Sequence, residues 1–226
     1  MFKTNKIVVL IGGGPVVWNN PNLIKGLPIV AVDGGLDICI DYSIVPNYFI
    51  GDMDSASPSA KQYAKLNKIP SNFVAEQDTT DFEKALMHVD AVGYVCLGFL
   101  DGRLDHSLAV LHVIQKQSQK RPILLLGFED VVLTGPNNFR ISLPVGERIS
   151  IWPLGKVSFE YSTGLLYSLK NVEMVQGNLI GTSNSVSENS VQIILSEANR
   201  GTYLIILSYI YFDNLFVLIG GLSSPK

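Results

Sequence analysis

Six short apolar runs alternate with helix-like stretches through the first 126 residues, and this alternation constrains the fold more than any other feature. Ile7–Ile11 reads as a strand and runs into Gly12-Gly13-Gly14-Pro15. Ile29–Val32 ends in Asp33-Gly34-Gly35, with a short helix over Leu36–Tyr42. Tyr48–Ile50 leads into Gly51-Asp52-Met53-Asp54-Ser55. Ser57-Pro58 opens a helix to about Asn67, with proline in its first turn. Phe73–Ala75 is a fourth strand. Thr80 is placed to cap a helix from Asp81 to about Asp90, with Glu83 three residues on as in a capping box. Val92–Leu97 is followed by a helix from Leu104 to about Gln117, whose face is Leu104, Leu108, Leu111 and Ile114. Ile123–Leu126 closes the series. Strands that alternate with helices build a mostly parallel sheet with helices on both faces.

The pattern changes at Thr134-Gly135-Pro136-Asn137-Asn138. Beyond it come short β-rich runs at Arg140–Leu143, Arg148–Trp152, Lys156–Tyr161, Gly177–Ile180, Val191–Leu195 and Tyr203–Leu207. Gly, Pro, Asn and Ser punctuate them, which is the signature of a sandwich or barrel. A length of 226 residues accommodates one large domain or two small ones. The expectation is therefore an α/β domain over 1–136 and an all-β sandwich domain over 137–226. The tail from Tyr203 to Leu222 holds a single charge, Asp213. Asp213-Asn214 interrupts it and Gly220-Gly221 closes it, so it reads as two strands joined by a turn rather than a membrane span. Ile7–Ile11 is likewise too short for the core of a signal peptide.

Composition excludes several functions. With 47% hydrophobic and 16% charged residues the chain is not disordered. A net charge of −3 offers no electrostatic footprint for nucleic acid. Two cysteines far apart, Cys39 and Cys96, exclude a disulfide framework and suit a reducing cytoplasm.

Eleven of the twelve aspartates lie within residues 1–136, so the first half has a use for carboxylates. Asp33, Asp52 with Asp54, Asp78 with Asp81, and Asp105 each stand in a loop after a strand or at a helix start. In an open parallel sheet such loops line one crevice. Carboxylates gathered there need a cation. Hard oxygen ligands without Cys or His pairs point to Mg²⁺, which usually also holds substrate phosphate. Arg103, beside Asp105 and His106 at a helix N-terminus, offers a planar fork for that phosphate. Each motif taken singly also has a plain structural reading as a turn, a capped helix or a surface ion pair. The glycine run matches neither a dinucleotide fingerprint nor a Walker loop, and His88 and His112 read as packing or surface residues.

The motifs in order are Val32-Asp33-Gly34-Gly35, Ile50 through Ser55, Asp78-Thr79-Thr80-Asp81-Phe82-Glu83-Lys84-Ala85-Leu86, and Gly102-Arg103-Leu104-Asp105-His106. Ser162-Thr163-Gly164-Leu165-Leu166-Tyr167-Ser168-Leu169 and Thr182-Ser183-Asn184 follow them. This order resembles the thiamine pyrophosphokinase (thiamine diphosphokinase) family. The resemblance implies a homodimer that converts ATP and thiamine to thiamine diphosphate and AMP. It implies that Asp52, Asp54 and Asp78 lie around Mg²⁺ and the polyphosphate, with Asp81 near the nucleotide or metal. Arg103 and Asp105 would border the transferred group. Asp33, Gly34, Gly35, Thr80, Lys84 and His106 fall to the nucleotide. Ser183 and Asn184 would meet the pyrimidine end of thiamine, in a pocket that includes the partner subunit. The thiazolium of thiamine is cationic, and Tyr167 reads either as an aromatic face for it or as a plain sandwich-core tyrosine. The family often has glycine where Asp101 stands and asparagine where Val110 stands. Two rivals are a diphosphokinase for another hydroxymethyl heterocycle, such as a pterin, and a non-enzymatic nucleotide sensor.

Overall fold

The computed structural model describes residues 1–16, 24–52, 54–74, 78–117 and 121–220. The N-terminal strands are β1 (Phe2–Lys3), β2 (Ile7–Ile11), β3 (Ile29–Val32), β4 (Tyr48–Gly51), β5 (Ser71–Phe73), β6 (Val89–Asp90), β7 (Gly93–Leu97), β8 (Ile123–Leu126) and β9 (Asp130–Thr134). Between them lie the helices α1 (Gly35–Asp41), α2 (Pro58–Leu66), α3 (Asp81–His88) and α4 (Leu104–Gln117). The remaining strands are β10 (Asn138–Ser142), β11 (Arg148–Leu154), β12 (Val157–Thr163), β13 (Glu173–Met174), β14 (Gly181–Ser185), β15 (Ser190–Leu195) and β16 (Thr202–Ser208). Helix α5 (Phe212–Leu218) ends the series.

One ten-stranded sheet runs through both halves in the order β14-β11-β16-β9-β8-β7-β2-β3-β4-β5. From β8 to β5 every pairing is parallel. From β8 through β9, β16 and β11 to β14 every pairing is antiparallel. Side chains alternate across the parallel strands. Val9, Ile11, Val95 and Leu124 enter one apolar cluster, while Val8, Leu10, Cys96 and Leu125 enter the other. Helices α1 and α2 cover the first face through Leu36, Cys39, Ala60 and Ala64. Helices α3 and α4 cover the second through Phe82, Ala85, Val110, Val113 and Ile114. Both faces of the parallel strands are thus sheltered, as their near-continuous apolar sequence demands.

A second sheet, β10-β15-β12-β13, closes over the C-terminal strands. Phe139, Ile141, Phe159, Val191 and Ile193 from that sheet join Ile149, Ile151, Tyr203 and Ile205 from the large one in a single core. Phe159 meets Tyr203 edge to face at 5.3 Å.

Several elements differ from the sequence expectation. The fourth strand lies at Ser71–Phe73; Ala75 falls outside the described residues. Helix α3 stops at His88, because Val89 and Asp90 pair with Phe2 and Lys3. Strand β9, which the sequence pattern did not single out, is the antiparallel turning point of the large sheet. Gly177–Ile180 is a turn rather than a strand: Gly177 has φ +86, and a bridge between Val175 and Leu179 closes it. The buried stripe of α4 is Val110, Val113 and Ile114, whereas Leu104 and Leu108 are 72% and 57% exposed. The first turns of α4 stand at the rim of a cleft, clear of the sheet. The second strand expected in the tail is instead α5. Both edges of β16 are already taken, by β11 and β9. Phe212, Leu215 and Phe216, at helical spacing, bury on the first face of the sheet. The C-terminal part is therefore not all-β, and Gly221 and Leu222 lie outside the described residues. Among the described residues no helix is long and apolar enough to cross a membrane.

Candidate functional site

The C-terminal ends of β2, β3, β4 and β7 open into a cleft of about 990 Å³, large enough for a nucleotide-sized ligand. Its floor is glycine packed on glycine. A Cβ on Gly12 or Gly14 would come within 2.8 or 2.7 Å of the Gly98 carbonyl oxygen, and one on Gly35 within 1.8 Å of the Ile11 oxygen. The glycine run thus lets backbone approach backbone, which is why β2, β3 and β7 can end together beneath one cavity.

Asp33 follows β3 in the left-handed region, with φ 47, and is 3% exposed. Gly51 is a consequence of that placement, since a Cβ there would lie 3.0 Å from the Asp33 Cβ. The Ser55 N–H donates to Asp33 Oδ2 at 3.3 Å, while Oδ1 is buried with no hydrogen-bond partner. Burial, reinforced by the charges of Asp52 and Asp54, holds the Asp33 carboxyl above the ordinary carboxylate range despite the Ser55 hydrogen bond.

Asp52 follows β4. Its Oδ1 accepts the Asp54 N–H at 3.1 Å, and its Oδ2 accepts from Lys84 Nζ at 2.9 Å. Burial pushes the Asp52 carboxyl up, but the Lys84 hydrogen bond and the Asp54 N–H outweigh it and hold it below the usual range. Asp81 and Lys84 come from the first turns of α3. Thr80 caps this helix by accepting the Glu83 N–H at 3.2 Å. The expected return contact of a capping box is replaced by an ion pair between Glu83 and Lys116. Lys84 Nζ also lies 3.5 Å from Asp81 Oδ1. Burial, then the charges of Asp33 and Asp52, raise the Asp81 carboxyl. Asp33, Asp52 and Asp81 offer oxygens that all lie within 4.8 Å of one another. Three hard donors, one of them a buried oxygen still lacking a partner, fit a small divalent cation such as Mg²⁺.

Thr79, Thr80, Gly34, Arg103 and His106 also line this cleft. Arg103 forks onto Asp105 through Nε at 3.1 Å and Nη2 at 2.6 Å, and both side chains are exposed. That contact holds the Asp105 carboxyl below the ordinary range. Asp105 itself does not line the cleft, and neither do the exposed Asp54 and Asp78. Of the six carboxylates expected in one crevice, the structure brings Asp33, Asp52 and Asp81 together, whereas the resemblance implied Asp52, Asp54 and Asp78 around the metal.

Sequence reasoning missed Asp37 and Ser57, which line the cleft and bond to one another through the Ser57 hydroxyl and N–H. It also missed Phe99, which packs on Phe82 at 4.8 Å and forms part of the cleft wall. Asp37 sits one helical turn past Asp33-Gly34-Gly35, a spacing that could have marked it.

Ser183, Asn184 and Tyr167 lie on the C-terminal strands and loops, and none of them lines the cleft. Ser183 is exposed with φ 56, and its N–H donates to Ser150 Oγ at 3.0 Å. Asn184 is buried and clamps the loop carrying Tyr167. Its Oδ1 accepts the Tyr167 N–H at 3.0 Å, and its Nδ2 donates to the Tyr167 carbonyl at 2.8 Å. Tyr167 itself is 65% exposed.

Two family models match the chain. "Thiamin pyrophosphokinase, catalytic domain" covers residues 21–125, and "Thiamin pyrophosphokinase, vitamin B1 binding domain" covers residues 138–198. Thiamin pyrophosphokinase 1 of Caenorhabditis elegans is 30% identical over 194 residues, which are 77% of this chain and 76% of that protein. Thiamine pyrophosphokinase 1 of Oryza sativa subsp. japonica is 32% identical over 165 residues, or 66% of this chain; the chain spans 62% of the length of that relative. Thiamin pyrophosphokinase from Geobacillus thermodenitrificans superposes with a TM-score of 0.71 at 25% identity, over 89% of this chain and 97% of that one. The yeast enzyme, at 17% identity, shares the fold with a TM-score of 0.70 over 98% of this chain and 94% of its own.

Proposed function

The chain belongs to the thiamin pyrophosphokinase family, and from that premise we propose that it transfers the diphosphate of ATP to the hydroxyl of thiamine, giving thiamine diphosphate and AMP. The observation that carries this reading is the convergence of Asp33, Asp52 and Asp81 at the end of a glycine-floored cleft. In this reading residues 1–136 bind the nucleotide and residues 137–226 supply the thiamine-binding half. The vitamin B1 binding model over residues 138–198 speaks against a pterin as acceptor.

Asp33, Asp52 and Asp81 would hold Mg²⁺, which when bound neutralises charge on the polyphosphate. Arg103 reaches into the same cleft and would stabilise the charge that develops on the transferred phosphates. Its fork on Asp105 keeps the guanidinium oriented until the nucleotide arrives. The glycine floor and the wall of Phe82 and Phe99 would exclude water from the nucleotide side. The thiamine hydroxyl attacks the β-phosphorus, AMP leaves, and the hydroxyl proton passes to a carboxylate of the cleft.

Ser183, Asn184 and Tyr167 do not line the cleft of their own chain. For them to meet a substrate bound there, a second copy must present them, which supports a homodimer with composite sites. The exposed apolar residues Leu104 and Leu108 at the cleft rim, and Leu166 beside Tyr167, suit such an interface. A cytoplasmic setting is consistent with the free, buried thiols of Cys39 and Cys96.

The test is incubation with Mg-ATP and thiamine, followed by chromatography for thiamine diphosphate and AMP in equal amounts. A sensor would bind ATP and release no AMP. Asp52→Asn is expected to lower kcat by about 10²-fold or more, the scale of losing one strong electrostatic stabiliser. Full turnover of that variant at saturating Mg²⁺ would remove Asp52 from the site.

A further inference from the structure

Lys84 is 2% exposed, deeper than any other lysine of the described residues. A buried ammonium is costly unless it is paired, and this one is paired twice. It lies 2.9 Å from Asp52 Oδ2 and 3.5 Å from Asp81 Oδ1. Those two carboxylates belong to the cluster whose third member, Asp33, keeps an oxygen without a partner. The cluster therefore carries its own fixed cation. One ammonium among three carboxylates leaves a charge that a single divalent ion balances. The lysine comes from α3, whose cap at Thr80 fixes the first turn. Asp52 comes from the end of β4, so the ion pair ties the two elements together across the site.

We propose that Lys84 is a resident counter-charge. As a positioning residue it holds Asp52 and Asp81 convergent. It also weakens the attraction of the cluster for a bare divalent ion, so that the ion enters with the polyphosphate rather than ahead of it. The inference rests on reading the cleft as a metal-polyphosphate site, and it departs from the sequence expectation that Lys84 grips the nucleotide directly.

The test uses the full chain and Mn²⁺ alone, with neither ATP nor thiamine, and reads free Mn²⁺ by electron paramagnetic resonance. Removing a unit charge a few ångströms from a divalent ion should tighten its binding, so Lys84→Gln is expected to bind Mn²⁺ about tenfold or more tightly. Lys84→Arg, which keeps the charge, should stay within about threefold of the parent chain. In a second measurement, Mn²⁺ should raise the thermal midpoint of Lys84→Gln more than that of the parent. Lys84→Met keeps the apolar stem packed and covers the case in which the glutamine variant folds poorly. Folding of either variant only on addition of Mn²⁺ supports the proposal. Mn²⁺ binding by Lys84→Gln no tighter than the parent's, or failure of both variants to fold with or without Mn²⁺, overturns it. Because no substrate is present, these outcomes are independent of the AMP assay, whose failure would instead remove the diphosphotransfer reading.

Discussion

Asn184 commits both ends of its amide to the backbone of Tyr167. Replacing it with alanine removes both bonds from the Tyr167 backbone and empties a buried site, at a cost of about 1 kcal/mol or more. Asn184→Ala is accordingly expected to lower the midpoint of chemical denaturation and to raise KM for thiamine more than it lowers kcat. Equal losses in both kinetic constants would argue against a positioning role at the thiamine end. The acidic loops could be read from the sequence because each follows an apolar run, and strand ends converge in a parallel sheet. Which carboxylates meet could not be read. The Asp52 oxygen accepts an N–H from its own loop, at Asp54, and that local bond turns the loop so that Asp54 faces solvent. Asp33 was legible as a turn residue, but its burial depends on Gly51 and Ser55, which approach it only in the folded sheet.

The tail shows what sequence patterns leave open at the level of elements. A short apolar run does not separate strand from helix by its periodicity, and here the decision falls to tertiary pairing, because β16 has no free edge to offer a further strand. Tyr211, just before α5, donates its hydroxyl to Glu147 Oε2 at 2.7 Å. That hydrogen bond, with burial and the Glu147 charge, pushes the Tyr211 phenol up to about 12. A raised phenol pKa means that the stabilisation is fully present below the unfolded value near 10 and is lost as pH rises through the folded value. Tyr211→Phe should therefore be less stable than the parent at pH 8, with the difference vanishing toward pH 12. Denaturation curves across that range decide it, and a difference independent of pH would refute the link. Phe216→Ala, which empties the centre of the α5 contact, is expected to cost about 3–5 kcal/mol. The packing face of α4 was misread for a related reason: periodicity marks an apolar stripe but not how far the sheet beneath it extends.

In the whole molecule, a parallel α/β part and a β-rich part were legible from the switch between alternating and β-rich patterns, whereas the closing helix α5 and the continuity of one sheet across that switch were not. Nothing local in strand β9 names its partner, and β16 reaches it from about seventy residues away. If the active site is shared between two copies, chains carrying Asp52→Asn and chains carrying Ser183→Ala with Asn184→Ala should complement each other. Mixed in equal amounts, each nearly inactive alone, they should recover about a quarter of the parent activity through one intact site in each hybrid pair. No recovery in samples shown to contain hybrids would place the whole site within one chain. Strand β16, inserted between β11 and β9, also bears on how the protein is made. Synthesis on the ribosome proceeds from the N-terminus, so β9 emerges with an unpaired edge and keeps it until β16, about seventy residues further on, has been translated. The large sheet cannot be completed ahead of β16, and premature termination before β16 would release a product with an adhesive sheet margin, a natural target for chaperones and proteases.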